Sequence, residues 1–172
     1  DNTLPALLNA GHRVVMLDHR GCGGSDKDFA DLGIQAIAGD VVKLVDQLGL
    51  ASVVLNGWSL GGAVAVEAAD QLGSRCRGLV LTGGATPTYV QKPDFKAGGT
   101  EADMAATVGA LQADRIGFLS GLVHAVCAKE VSPAITDWMW KVFCESSPMA
   151  HVTLAQLAPL DQREQLAGLA MP

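Results

Sequence analysis

Residues 53–66 read VVLNGWSLGGAVAV, an aliphatic run that leads into a glycine-flanked serine and then into a segment of small residues. The β-branched and aliphatic residues before the serine are typical of a strand, and the Ala-, Val- and Leu-rich residues after it favour a helix. The pattern Gly57-x-Ser59-x-Gly61 at the junction therefore predicts a sharp turn with the Ser59 hydroxyl group at its apex.

This turn has two interpretations. Gly-x-Ser-x-Gly also occurs by chance, so Ser59 could be an ordinary residue of a glycine-rich turn. The strand before it, the helix after it and the additional Gly62 favour a nucleophile. Such a turn strains the backbone, and we expect glycine at 57 and 61 to remove a collision across it. Because a helix N terminus presents free N–H groups, the backbone N–H of Leu60 is the candidate oxyanion donor.

The pattern resembles the nucleophile elbow of the α/β-hydrolase superfamily. The resemblance implies an α/β fold with a mostly parallel sheet flanked by helices, and it makes Ser59 the attacking residue. Residues 18–26, DHRGCGGSD, resemble the Asp-x-Arg-Gly-x-Gly-x-Ser turn that many members carry one strand before the elbow. A phosphate-binding glycine loop is the alternative, but the P-loop lysine is missing. The same resemblance makes His19 a loop residue near the site and not the catalytic base.

Strands and helices alternate through residues 1–87, which we interpret as the hydrolase core. The apolar run of residues 13–17 predicts a strand buried on both faces of a parallel sheet. Apolar residues at helical spacing across 34–48 predict a helix that Gly49 ends, and residues 79–82 predict a further strand. This order requires right-handed crossovers and a parallel sheet.

Residues 88–165 predict a helical cap over the carboxyl edge of that sheet. A Pro- and Gly-containing loop comes first, followed by helices near 101–112, 114–127, 133–145 and 148–157. Ser132-Pro133 and Ser147-Pro148 each place a capping serine before a proline, a helix-start signal. Residues 166–172 are interpreted as the start of the return to the core sheet, so the fold is expected to be incomplete at both ends.

Aromatic residues are the candidate pocket wall. Trp58, beside Ser59, is the aromatic residue expected to contact substrate. The cap contains five large residues, most expected in its own core and one or two facing Ser59: Phe118, Trp138, Met139, Trp140 and Phe143. Residues 111–119, LQADRIGFL, followed by Val131-Ser132-Pro133, resemble the cap of the cofactor-free haloperoxidase and perhydrolase group of esterases.

A serine hydroxyl needs a base, and the base needs an orienting acid. In this superfamily the order along the chain is nucleophile, acid, histidine, so the resemblance places the triad acid and histidine beyond Pro172. His124 and His151 lie within predicted helices, and we expect each to be an ordinary surface or core residue. The sequence thus predicts an internal portion of a longer α/β-hydrolase, inactive by itself, that lacks the first strands and the last two.

Composition excludes several other classes of function. The 172 residues carry a formal net charge of -6 without a lysine or arginine cluster, which argues against nucleic-acid or membrane partners. The four cysteines show no metal-ligand spacing, so a reduced cytoplasmic protein without metal or cofactor is expected. The predicted function is serine hydrolysis of a small-molecule carboxylic ester through an acyl-enzyme on Ser59, with perhydrolysis as a side activity. The alternative is a non-catalytic binding protein or an inactive fragment of the fold.

Overall fold

The computed structural model describes residues 3–172. Eight α-helices and two strands are formed within it. In chain order they are α1 (Thr3–Asn9), α2 (Ile34–Gln47), β1 (Val53–Trp58), α3 (Leu60–Leu72), β2 (Cys76–Thr82), α4 (Glu101–Ala113), α5 (Arg115–Ala125), α6 (Pro133–Cys144), α7 (Ala150–Ala155) and α8 (Arg163–Gly168). A short 3-10 helix, Gly73–Arg75, joins α3 to β2.

Strands β1 and β2 form a parallel pair, as the sequence predicts. Their register places Asn56 opposite Val80 and Trp58 opposite Thr82, so both strands end at the same edge of the sheet. Helix α3 connects them and packs on both strands. On the other side of β2, the N–H of Leu79 donates to the carbonyl oxygen of Pro172 at 3.0 Å, so residue 172 lies beside the strand.

The predicted strand at residues 13–17 is not formed. A strand exists through the hydrogen bonds of its ladder, and within residues 3–172 this segment belongs to no ladder. Its side chains are correspondingly open to solvent, with Val15 40%, Met16 74% and Leu17 42% exposed. The prediction was wrong because it rested on apolar composition alone. Composition indicates that a segment tends to be buried, but it does not identify a neighbouring strand with which the segment can form hydrogen bonds.

The core lies between the sheet and helices α2 and α3. The apolar positions predicted on one face of the second helix include Ile34 and Ile37, which are 3% and 1% exposed. They pack against Ala63, Val64 and Ala68 of α3. Because the side chains on this face of α3 are small, α2 packs closely against it, and the residues between the two helices are buried.

Residues 101–155 form four consecutive helices, α4 to α7, hereafter the helical segment. Helix α4 begins with a reciprocal capping box between Thr100 and Asp103, and the Asp114 side chain caps α5 by accepting from the N–H of Gly117. Ser132 precedes α6 with Pro133 in its first turn, as predicted, but its side chain makes no capping hydrogen bond. Among the residues described, no helix is long and apolar enough to cross a membrane.

Candidate active site

The turn between β1 and α3 places Ser59 in an unusual backbone conformation. Its φ is 51° and its ψ is -123°, and it is the one non-glycine residue with positive φ in residues 3–172. A side chain in that region of backbone space is strained by about 1–3 kcal/mol. Strain of this size persists only where the surrounding contacts hold it, and here the half-buried serine sits at the carboxyl edge of the sheet.

Three hydrogen bonds fix the backbone of Ser59. Its N–H donates to the carbonyl oxygen of Thr82, the last residue of β2, at 3.2 Å. Its own carbonyl oxygen accepts from the N–H groups of Gly62 and Ala85, each at 2.8 Å. The turn is therefore tied to its own helix, to the neighbouring strand and to the loop that follows that strand.

The glycines around the turn are required for different reasons. A Cβ atom at Gly57 would stand 2.6 Å from the carbonyl carbon of Gly61, which confirms that position 57 tolerates no side chain. A Cβ atom at Gly61 would meet nothing within 4 Å, so the collision expected there is absent. The second close approach involves Gly62 instead, whose Cβ would lie 2.6 Å from the Cα atom of Gly84.

The N terminus of α3 offers backbone donors beside Ser59. Helix α3 starts at Leu60, and the N–H groups of Leu60 and Gly61 have no hydrogen-bond partner among the described residues. These groups carry the positive end of the helix dipole. The arrangement can stabilise a negative charge that develops on an atom bound to the Ser59 oxygen.

An aromatic pair covers one side of the turn. Trp58 stacks on Phe143, with ring centroids 6.1 Å apart and an interplanar angle of 23°. Phe143 belongs to α6 of the helical segment, so this contact joins that segment to the residue before Ser59. Trp58 remains 49% exposed, which leaves part of its indole ring free to contact another molecule.

The turn at residues 18–26 is closed by hydrogen bonds among its own residues. The Asp18 carboxylate accepts from the N–H of Gly24 at 2.8 Å. The carbonyl oxygen of Asp26, and not its carboxylate, accepts from the N–H of Gly21 at 2.9 Å. The carbonyl oxygen of Gly21 in turn accepts from the N–H of Ser147 at 2.6 Å, so the turn also contacts the connection between α6 and α7.

Arg20 attaches this turn to helix α2. Its guanidinium group donates two hydrogen bonds of 2.7 Å to the Asp40 carboxylate and lies 4.8 Å from the ring centroid of Phe29. The hydrogen bonds from Arg20 hold the pKa of Asp40 below its usual value. The neighbouring Cys22 thiol has a raised pKa, chiefly because burial disfavours its charged form.

No triad is assembled within residues 3–172. The Ser59 hydroxyl group makes no hydrogen bond to a histidine there. His19 Nδ1 lies 3.1 Å from the carbonyl oxygen of Arg20, and His151 Nδ1 lies 3.2 Å from that of Pro148. His124 is exposed at the end of α5.

Two surface grooves lie elsewhere on the described residues. One, of about 520 Å³, runs between the start of α2 and residues 156–161, and the other, of about 610 Å³, surrounds Arg163. Ser59 lines neither groove. The described residues also contain no cluster of three or more side chains suited to a metal ion.

The fold agrees with a comparison against known families. A family model described as the alpha/beta hydrolase fold matches residues 2–141. The chain belongs to the α/β-hydrolase family.

Individual relatives are similar to the chain over most of its length. It is 30% identical over 169 residues to the AB hydrolase superfamily protein YisY of Bacillus subtilis, covering 96% of this chain and 63% of that protein. A bromoperoxidase from Bacillus anthracis superposes with a TM-score of 0.87 at 26% identity, over 98% of this chain and 64% of that one. An esterase from Exiguobacterium antarcticum gives 0.85 at 26% identity, over 90% and 58%. The chain thus spans less than two thirds of the length of these relatives.

The contacts of two residues near this site were not predicted from the sequence. Phe143 was one of five large residues, and helical spacing alone did not show which of them reaches Trp58. Gln162 carries no sequence signal, because a single glutamine in a polar stretch reads as surface. In the structure Gln162 is 0% exposed and contacts the helix that follows Ser59.

Proposed function

We propose that the whole protein is a serine hydrolase acting on a carboxylic ester. The observation that carries the proposal is the backbone of Ser59, held at positive φ directly before a helix N terminus with unpartnered N–H groups. A serine in an inert turn gains nothing from that strain, whereas an exposed nucleophile beside oxyanion donors requires it.

The reaction follows from the roles of these groups. Ser59 Oγ attacks the ester carbonyl carbon and gives its proton to a histidine base of the whole protein. The N–H of Leu60 binds the oxyanion of the tetrahedral intermediate. The bond to the alcohol breaks, and the alcohol leaves with the proton from the histidine. Water then attacks the acyl-enzyme, the acid departs and the Ser59 hydroxyl group is restored.

The Trp58–Phe143 pair supplies an apolar wall for this reaction. Trp58 adjoins the nucleophile in the chain, and Phe143 backs its ring from the helical segment. We propose that this segment acts as the cap of the site, where it contacts the acyl group and reduces the access of water. Because the chain is similar to a bromoperoxidase, hydrogen peroxide should also be tested as the nucleophile. If peroxide attacks the acyl-enzyme in place of water, the product is a peracid.

The test is a panel of chromogenic esters with the protein as the cell makes it, beside its Ser59→Ala variant. We expect turnover of at least one short-chain ester and a loss of several orders of magnitude in the variant. A fluorophosphonate probe should label Ser59 in the wild type only. Tight binding of a ligand without hydrolysis of any ester would instead identify a binding protein that retains the fold.

A further inference from the structure

Gln162 occupies a buried position between α7 and α8 and reaches two other parts of the chain. Its Nε2 donates to the carbonyl oxygen of Ala63, in the first turn of α3, at 2.9 Å. Its Oε1 accepts from Thr86 Oγ1 at 2.8 Å. Its backbone N–H donates to the carbonyl oxygen of Pro87, also at 2.8 Å. With 0% of its surface exposed, this glutamine contributes nothing to solubility.

The contacts of Gln162 converge on the loop that holds Ser59. Residues 83–88 follow β2, and in this loop the N–H of Ala85 donates to the carbonyl oxygen of Ser59 at 2.8 Å. Thr86 and Pro87, which Gln162 binds, are the next two residues. Gln162 therefore links the loop to α3 through hydrogen bonds, beside the Ala85 N–H that binds the carbonyl oxygen of Ser59.

A buried amide with paired donor and acceptor groups is a directional contact. A leucine or methionine of similar volume would fill the space but would leave the Thr86 hydroxyl group without this acceptor. The same atoms also set the distance between α3 and the loop. Because Gly62 and Gly84 bring their backbones together nearby, a small outward shift of the loop would lengthen the Ala85 to Ser59 hydrogen bond.

We propose that Gln162 is a positioning residue for the nucleophile, acting through Thr86 and Ala85 on the backbone of Ser59. This inference rests on the proposed hydrolase function and adds a residue to it. Gln162 touches no reacting atom, so its effect should fall on the transition state and not on substrate binding. A misplaced nucleophile lowers kcat, whereas a pocket that is unchanged preserves KM.

The experiment compares Gln162→Met with the matched variant Gln165→Met. Gln165 also donates to α3, to the Glu67 carboxylate at 2.9 Å, but among the described residues it makes no hydrogen bond to the 83–88 loop. We expect Gln162→Met to lower kcat about tenfold to a hundredfold with a change in KM of less than about twofold. Gln165→Met should leave both constants near those of the wild type.

A second measurement is independent of activity. Amide hydrogen exchange at Ala85 should be several-fold faster in Gln162→Met than in the wild type, and unchanged in Gln165→Met. If Gln162→Met fails to fold, Thr86→Val removes one hydrogen bond of the same bridge while keeping the side-chain shape, and it should shift kcat and exchange in the same direction.

The outcomes separate this inference from the proposed function. Unchanged exchange at Ala85, or faster exchange with an unchanged kcat, would overturn the role of Gln162 while leaving the hydrolase intact. A wild type without Ser59-dependent hydrolysis would overturn the proposed function and the positioning role with it. Faster exchange together with a loss confined to kcat would support both.

Discussion

Gly62 and Gly84 approach so closely that a Cβ atom on Gly62 would stand 2.6 Å from the Cα atom of Gly84. The contact joins the first turn of α3 to the loop after β2, and backbone cannot move aside as a flexible side chain can. We expect Gly62→Ala to lower the free energy of unfolding by about 1–3 kcal/mol. Urea denaturation at constant m-value measures the change.

Gly61→Ala is the matched control for that prediction. It lies one residue earlier in the same helix, and its added Cβ atom would meet nothing within 4 Å. Alanine is the better helix former by up to about 1 kcal/mol, so this variant should be as stable as the wild type or more so. Equal destabilisation by both substitutions would show that the helix start, and not the contact with Gly84, decides the effect.

The strain at Ser59 predicts an unusual order of stability among its variants. At φ 51° a Cβ atom is unfavourable, so Ser59→Ala keeps the strain and Ser59→Gly releases it. Glycine also has greater conformational freedom in the unfolded chain, which offsets part of this gain. We expect the free energy of unfolding of Ser59→Gly to exceed that of Ser59→Ala by about 1 kcal/mol. Thermal and urea unfolding of the two inactive variants provide the comparison. An alanine variant as stable as the glycine variant would argue against strain at this residue.

Phe143 should influence which acyl groups the site accepts. Phe143→Ala removes the ring that stacks on Trp58 and enlarges the space beside the proposed nucleophile. We expect the ratio of kcat/KM for a hexanoate ester to that for an acetate ester to increase about tenfold. Phe118→Ala in α5 is the control, since it removes the same kind of ring from the helical segment, and Trp58 stacks on Phe143. An equal change in both variants would mean that only the general packing of the segment matters.

The Arg20–Asp40 pair should contribute to stability in a pH-dependent way. The two side chains are only 14% and 30% exposed, so Asp40→Asn should cost about 2 kcal/mol at pH 7. Arg20 lowers the pKa of Asp40 in the folded protein, so the stabilisation is complete above the unfolded pKa near ~4. It is lost as the pH falls through the lower folded-state pKa. Denaturant curves of both proteins between neutral and acid pH should therefore converge at the acid end.

Asp46→Asn serves as the comparison for Asp40. Asp46 pairs with Arg75 at the same 2.7 Å, but the two side chains are 54% and 37% exposed. An exposed ion pair contributes at most about 1 kcal/mol, so this substitution should change stability little at any pH. A loss as large as that of Asp40→Asn would indicate that burial is not what distinguishes the two pairs.

The sequence was sufficient for the elbow because its local rules agree there. Aliphatic residues, glycines at fixed offsets and a small-residue helix each specify the same turn, so the Gly57 requirement and the start of α3 were predicted before the fold was known. Helices α4 to α7 were likewise predicted to within a few residues, since proline and capping signals mark local events.

Features that depend on distant neighbours were not predictable in this way. Residues 13–17 have the composition of a strand, yet strand formation needs a paired partner that composition does not name. The role of Gln162 depends on Ala63 and Thr86, which lie 99 and 76 positions away in the chain. The selection of Phe143 over the other large residues of the helical segment depends on how α6 packs, which helical periodicity does not specify.

Arg115 connects the helix that carries Phe143, and so the Trp58–Phe143 contact, to helix α5. Its guanidinium group, at the start of α5, donates to the carbonyl oxygen of Cys144 at 2.8 Å and to Ser146 Oγ at 3.0 Å. The end of the helix that carries Phe143 is therefore attached to the beginning of another helix. Outward movement of Phe143 by a bulky ligand would either displace α5 as well or break charge-assisted hydrogen bonds worth about 1.5–3 kcal/mol each, so the attachment to α5 opposes that movement.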